Sequence, residues 1–141
     1  MFYFYFKSKQ YIIHMKKQIK NVEEFHNSFN IKNNNIPTVN VGEKIFQLRH
    51  SLMNEENEEY LDACKQGDLV EIADALGDMM YILCGTILSH GLQYKIEEVF
   101  EEIQKSNMSK LGSDGKPIYR EDGKVMKGPN YFKPDIKNIL S

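Results

Sequence analysis

The chain has 141 residues, 41% hydrophobic, 27% charged and 11% aromatic, enough for one compact domain with a modest core but not for several. Lys and Arg total 18 against 20 Asp and Glu, a formal net charge of -2 with a pI near 6.1, which sets aside a polycationic binder of nucleic-acid polymers. The densest apolar run, Met79–Leu88, is about half the ~20 residues of a bilayer crossing, and two cysteines, Cys64 and Cys84, are too few for a disulfide framework, so a soluble, cytoplasmic chain with no membrane partner is expected.

Residues 1–14 open with Met1-Phe-Tyr-Phe-Tyr-Phe6 and lack the basic leader, the sustained aliphatic run and the small-residue cleavage site of a signal peptide. They are read as an N-terminal extension. From Met15 to Phe29, the residues Ile19, Val22, Phe25 and Phe29 recur every three or four positions and predict a first helix. Asn33-Asn-Asn35 and Pro37 stop it. A second helix is expected from Asn40 or Gly42 to Lys65, ended by Gln66-Gly67, and a third from the N-cap Asp68 to Ser89, ended by Gly91. The fourth, Tyr94 to Lys110, carries Ile96, Val99, Phe100 and Ile103 on one face. These four define an all-α domain over 15–111. Beyond it, over 112–141, the turn dipeptides Asp114-Gly115 and Asp122-Gly123 flank Pro117-Ile118-Tyr119 and predict a short β-hairpin or an ordered loop, then an extended strap containing Pro129 and Pro134.

Several common chemistries are missing. There is no Gly-x-Gly-x-x-Gly, no Walker-type loop, no Gly-x-Ser-x-Gly and no His-Glu-x-x-His. His14, His26, His50 and His90 are scattered without ligand spacing, and neither cysteine has a basic neighbour in sequence.

The acids of the second and third helices are the anomaly. At about 100° per residue, Ile45, Leu48, Leu52 and Ala63 define the apolar stripe of the second helix, and Glu56 and Glu59 fall inside it. Glu58 points away and Glu55 lies at the edge. On the third helix Glu71, Asp74 and Asp78 share a stripe that Ile82 and Gly85 continue. Asp78 runs straight into Met79–Leu88, apolar nearly all round, so burial is expected there, and an unpaired buried carboxylate costs several kcal/mol. The short Lys65-Gln-Gly-Asp68 connection makes the two helices antiparallel neighbours and brings their acids together. Carboxylates so gathered repel unless a cation neutralises them, and oxygen ligands without histidine or cysteine suit Mg2+ or Mn2+ rather than zinc.

Most Glu-rich helices are simply solvated faces paired with Lys or Arg. That reading holds for Glu55, Glu58, Glu97-Glu98 and Glu101-Glu102. It is set aside for Glu56, Glu59 and Asp78 because their phase is inward and no basic residue lies one turn away on the third helix, although Arg49 and His50, upstream on the second, are available as partners. On the fourth helix Asn107 and Lys110 extend the phase of Ile96 and Ile103, either to hold phosphates or as an ordinary cationic helix end. Lys124 and Lys127 offer further charge, though exposed lysines are the commoner case.

In order and spacing, Glu56-Asn-Glu-Glu59 followed by Asp74-Ala-Leu-Gly-Asp78 resembles the metal-binding core of the all-α NTP pyrophosphatases, the MazG and phosphoribosyl-ATP pyrophosphohydrolase superfamily, over about Arg49 to Lys110. Gly85-Thr86, His90-Gly91 and Ser106-Asn-Met-Ser-Lys110, with Gly123-Lys-Val-Met-Lys-Gly-Pro129, are most similar to the phosphoribosyl-ATP pyrophosphohydrolase-like branch. The resemblance implies that Glu56, Glu59 and Asp78 are metal ligands and that Asn107 and Lys110 contact substrate. Where many relatives have Glu this chain has Ala75, which leaves Asp74 or Glu71 to supply that oxygen.

It implies further a Mg2+-dependent hydrolysis of a nucleoside triphosphate to monophosphate and pyrophosphate, the reaction of an enzyme that cleanses the nucleotide pool. Glu59 or Glu55 is the candidate base and Lys127 an added phosphate contact. The expected architecture is a four-helix-type bundle completed as a homodimer or dimer of dimers. Two alternatives stand beside it: phosphoribosyl-ATP hydrolysis in histidine synthesis, and a non-catalytic helical module that binds nucleotide or metal or sets oligomer register.

Overall fold

The computed structural model describes residues 15–141, so the expectation for residues 1–14 lies outside the described part. Five helices follow in order: α1 (Met15–Ser28), α2 (Glu43–Gln66), α3 (Leu69–Ser89), α4 (Ile96–Met108) and α5 (Ile136–Leu140). The main packed pairs are α2 with α3, α1 with α3, and α4 with α5, which makes α3 the central helix.

The core is small. Ile19 and Val22 of α1 meet Cys84, Ile87 and Leu88 of α3, with Met15, Leu92 and Ile96 against them. Phe25 adds an edge-to-face contact with Tyr81, ring centres 5.6 Å apart, and an ion pair from Lys16 to Glu97 at 3.3 Å ties the start of α4 to α1. By length and composition the whole of α3 would pass for a membrane span. Its acids Glu71, Asp74 and Asp78, and its packing between α1 and α2, make it instead the central helix of a bundle.

The Asn-rich stretch between α1 and α2 breaks the helix as expected, and then does more. Asn34 N–H donates to the Leu88 carbonyl at 3.0 Å, its Nδ2 to the Ser89 carbonyl at 2.6 Å, and Thr38 N–H to the His90 carbonyl at 2.8 Å. These bonds satisfy the carbonyls left over at the end of α3. Gly91, at φ 66°, has no room for a side chain because a Cβ there would strike the Ile36 carbonyl.

One chain does not close a four-helix bundle. The principal helix partner of α4 is the short α5, and α3 leaves Leu69, Leu76 and Leu83, spaced every seven residues, exposed together with Met80. The expectation that α3 is buried all round from Met79 onward therefore fails within the chain: Cys84, Gly85, Ile87 and Leu88 are covered, while Met80, Tyr81 and Leu83 are not. Among the described residues there is no strand. Residues 112–128 form an ordered loop with one antiparallel bridge, Tyr119 to Val125, flanked by Arg120 N–H to Lys124 O at 2.8 Å and Met126 N–H to Ile118 O at 2.7 Å. The strap after it is held to α4 by Ser106 Oγ donating to the Phe132 carbonyl and Asp135 N–H to Glu102 Oε1, at 2.8 and 3.0 Å.

Candidate active site

The turn between α2 and α3 sets the site. Gly67 takes the left-handed conformation at φ 69° and turns its N–H back on the Ala63 and Cys64 carbonyls. Asp68 then caps α3, its carboxylate accepting from Val70 N–H at 3.0 Å and Glu71 N–H at 3.2 Å. So short a reversal lays the second half of α2 along the first half of α3, with the small residues Ala63 and Ala75 buried on the two helices.

Glu56 is half-buried on this seam, and its Oε2 is buried with no hydrogen-bond partner. Its carboxyl group is held above the usual carboxylate range, first by burial and then by the negative charges of Glu59, Asp78, Glu55 and Asp74. Four carboxylates from two helices thus act on Glu56. Glu55, Glu59, Asp74 and Asp78 are themselves exposed. The burial expected of Asp78 is not found: it is exposed, while Ala75 and Ile82, one turn to either side of it, are buried and half-buried. Glu71 is exposed in the first turn and is not among the charges that act on Glu56.

No cation answers this group among the described residues, where the ion pairs are Lys16–Glu97, Lys65–Asp62 and Arg120–Asp122. Arg49, upstream on α2, is buried and occupied elsewhere. Its Nε donates to Thr86 Oγ1 at 3.1 Å and its Nη2 to the Ile82 carbonyl at 2.9 Å. Gly85 makes the room, since a Cβ there would fall on the guanidinium and lie 2.9 Å from His26 Nε2. His26 is 2% exposed and donates from Nδ1 to Asn33 Oδ1 at 2.6 Å. Burial, opposed by that bond and aided by the Arg49 charge, holds its imidazole below the ordinary histidine range. The role of Arg49 was not read from the sequence, although Gly85-Thr86, a small residue beside a hydroxyl on a buried face, is the signal that could have shown it.

Whether this acidic group suits a divalent metal divides into two questions. By chemistry it does: hard oxygen donors, an orphaned buried carboxylate oxygen and no competing cation. By geometry it does not as it stands: among the described residues no three of these side chains converge on a single point.

The remaining predicted residues lie elsewhere in the chain. Lys110 Nζ donates to Asn107 Oδ1 at 2.7 Å at the end of α4, and Lys127 Nζ stands 4.5 Å from the centre of the Tyr131 ring. The Gly128 N–H bond to the Lys110 carbonyl, at 2.9 Å, keeps the loop bearing Lys127 beside Lys110. Neither lysine belongs to the charges that act on Glu56.

The sequence profile of phosphoribosyl-ATP pyrophosphohydrolase matches residues 22–107, from the middle of α1 almost to the end of α4. The chain belongs to the phosphoribosyl-ATP pyrophosphohydrolase family. The matched segment of this family member contains Glu55, Glu56, Glu59, Glu71, Asp74 and Asp78 and ends at Asn107, leaving Lys110 and Lys127 outside. A crystal structure of a "putative NTP pyrophosphohydrolase" from Exiguobacterium sp. 255-15 is similar over 85% of this chain and 90% of that one, at 25% identity and a TM-score of 0.45. No curated protein matches the chain. The family assignment rests on the profile, which agrees with the resemblance carried by Glu56, Glu59 and Asp78.

Proposed function

We propose that this chain is a Mg2+-dependent nucleotide pyrophosphohydrolase, converting a nucleoside triphosphate and water to the monophosphate and pyrophosphate. The observation that carries this reading is the orphaned, half-buried Glu56 carboxylate, on which Glu59, Asp78, Glu55 and Asp74 act, with no ion pair among the described residues to neutralise it. Uncompensated negative charge on packed helices is unfavourable to the fold, and a bound cation relieves it.

Glu56, Glu59 and Asp78 would hold the ion, Mg2+ or Mn2+, with Asp74 or Glu71 in place of the Glu that Ala75 replaces. Bound there, the metal would offset charge on the polyphosphate and on the leaving pyrophosphate, the part a phosphate loop plays in other folds. Glu59 or Glu55 orients a water and takes its proton as the water oxygen attacks the α-phosphorus. The bond to the bridging oxygen breaks and pyrophosphate leaves.

Asn107, Lys110 and Lys127 are the phosphate contacts in this reading. They lie at the end of α4, and the exposed Leu69, Leu76, Met80 and Leu83 stripe on α3 supports a homodimer or dimer of dimers that covers it. A second copy would then bring its own α4 toward the acids. Static light scattering that returned a monomer at micromolar concentration would remove this part.

The family profile favours a second substrate, phosphoribosyl-ATP, which would place the chain in histidine synthesis rather than in cleansing the nucleotide pool. Either substrate implies a cytoplasmic setting. Pyrophosphate release should be measured across canonical and modified nucleotides and phosphoribosyl-ATP, with and without Mg2+. Turnover that requires Mg2+ and disappears in Glu59→Gln and Asp78→Asn is expected. No turnover of any substrate, with metal binding unchanged in both variants, would leave the acids as a scaffold of a non-catalytic module.

A further inference from the structure

Charge is divided unevenly along the chain. From Lys105 to Ser141 there are eight Lys and Arg against four Asp and Glu, although the whole chain carries a formal net charge of -2, so this segment is its positive pole. Within it Arg120 is paired with Asp122, whereas Lys110 and Lys127 are in no ion pair among the described residues. An ammonium only donates, so the bond from Lys110 Nζ fixes Oδ1 as the accepting end of Asn107 and leaves its NH2 group for other partners, on an exposed residue. Lys127 gives one side of its ammonium to the Tyr131 ring and keeps N–H donors beyond it. Positive charge and N–H donors from three side chains suit a phosphate oxyanion.

The backbone brings these side chains together. Gly128 N–H donates to the Lys110 carbonyl at 2.9 Å, and a Cβ on Gly128 would strike the carbonyls of Lys110 and Leu111, so glycine alone allows so close an approach. Four residues on, Phe132 is clasped to α4 from both sides of its peptide unit. Ser106 Oγ donates to its carbonyl at 2.8 Å, and its N–H donates to Ser109 Oγ at 3.1 Å. Ser106 is 3% exposed, which shields that bond from competing water. The attachments at Gly128 and Phe132 stand on either side of Tyr131, the ring that carries Lys127.

We infer that Gly128 and Ser106 are positioning residues: their clasp of the strap on α4 holds the Lys127 ammonium beside Lys110 and Asn107, so that the three side chains take a phosphate group as one unit. The inference rests on the pyrophosphohydrolase reading for the identity of the ligand as a polyphosphate. It does not rest on the acids or on a metal.

Inorganic pyrophosphate, titrated calorimetrically into the metal-free full-length protein, tests the clasp without hydrolysis. Lys110→Gln and Lys127→Gln should each weaken its binding about tenfold. Gly128→Ala and Ser106→Ala, which remove no charge, should weaken it severalfold, and Lys127→Gln should cost far less when added to Gly128→Ala than in the natural chain. Lys137→Gln, an equal loss of charge elsewhere in the strap, should change affinity little. A merely structural role for the clasp would move the melting temperature and not this coupling. Ser106→Ala introduces no clash, so the test stands even where Gly128→Ala folds poorly.

No binding of pyrophosphate to the natural chain, unchanged affinity in Ser106→Ala, additive losses in the Gly128→Ala and Lys127→Gln pair, or an equal loss in Lys137→Gln would each overturn the inference. A chain that binds pyrophosphate through the clasp yet releases it from no nucleotide would keep this inference and overturn the hydrolytic reading. Mg2+-dependent turnover with pyrophosphate affinity indifferent to Gly128 and Ser106 would do the reverse.

Discussion

At the end of the α2–α3 pair that holds Arg49, the buried guanidinium finds partners for its Nε and Nη2; at the end that holds Glu56, a buried carboxylate oxygen has none among the described residues. Both ends place charge in the seam between the same two helices. At the first, the guanidinium finds Thr86 Oγ1 and the Ile82 carbonyl, and Gly85 yields the volume it needs. At the second, four carboxylates act on Glu56, and none of the five is in an ion pair among the described residues. Polar groups satisfied internally serve the fold. A group left wanting a partner serves a ligand, and substitutions should separate the two classes: those at the acidic end cost activity without stability, those at the Arg49 end the reverse.

The largest effect is expected at the acidic end. Glu59→Gln should lower pyrophosphate release ~10²–10⁴-fold, the usual worth of a positioned proton acceptor. Asp78→Asn should abolish the rise in Tm that Mg2+ gives the natural protein. Neither should lower the melting temperature of the metal-free chain, because each removes one of several mutually repelling charges. A fall in Tm of the metal-free variants comparable to a core substitution would erase the distinction between the two ends.

Gly85→Ala is the counterpart. Its Cβ falls on the Arg49 guanidinium, so Arg49 must leave its bonds or the helices must part, an overpacking cost of ~1–3 kcal/mol. Urea unfolding should show the midpoint drop at unchanged slope, with Mg2+ binding per folded molecule preserved.

His26 gives the same end a pH signature. Its folded pKa lies below the ordinary 6.5, so between the two values the unfolded chain holds a proton that the folded chain lacks. Stability from this residue is complete above about pH 6.5 and lost as pH falls below it, with a slope of up to ~1.4 kcal/mol per pH unit. Urea midpoints from about pH 5 to 7 should show that slope, and His26→Gln should flatten it.

How far the sequence carried this picture depends on whether a feature was local. Helix phase alone put Glu56 inward, and Gly67 and Asp68 marked the reversal that sets α2 against α3. Phase also put Asp78 inward, yet it is exposed between the buried Ala75 and the half-buried Ile82, because the depth of a position depends on how two helices pack and not on either one. The Arg49 bonds span 33 and 37 residues and so have no local signature. The strap on α4 and the Asn34 bonds to the end of α3 escape for the same reason: a polar loop reads alike whether it caps a distant helix or faces water.

Asp68 tests the comparison from its least favourable side, being a carboxylate close in sequence to the acids and yet fully used. Its oxygen accepts from Val70 and Glu71 N–H groups that would otherwise be orphaned at the start of α3. Place in the chain would group it with Glu71 and Asp74, whereas partnership groups it with Arg49. Asp68→Ala should therefore cost ~1 kcal/mol of stability, as the loss of a helix cap does, and leave the Mg2+-dependent rise in Tm intact. Asp68→Asn, which keeps a capping oxygen and removes the charge, should restore the stability. If Asp68→Asn instead lost the Mg2+ response, charge at that end would matter more than partnership, and the division drawn between the two ends would have to be redrawn by position.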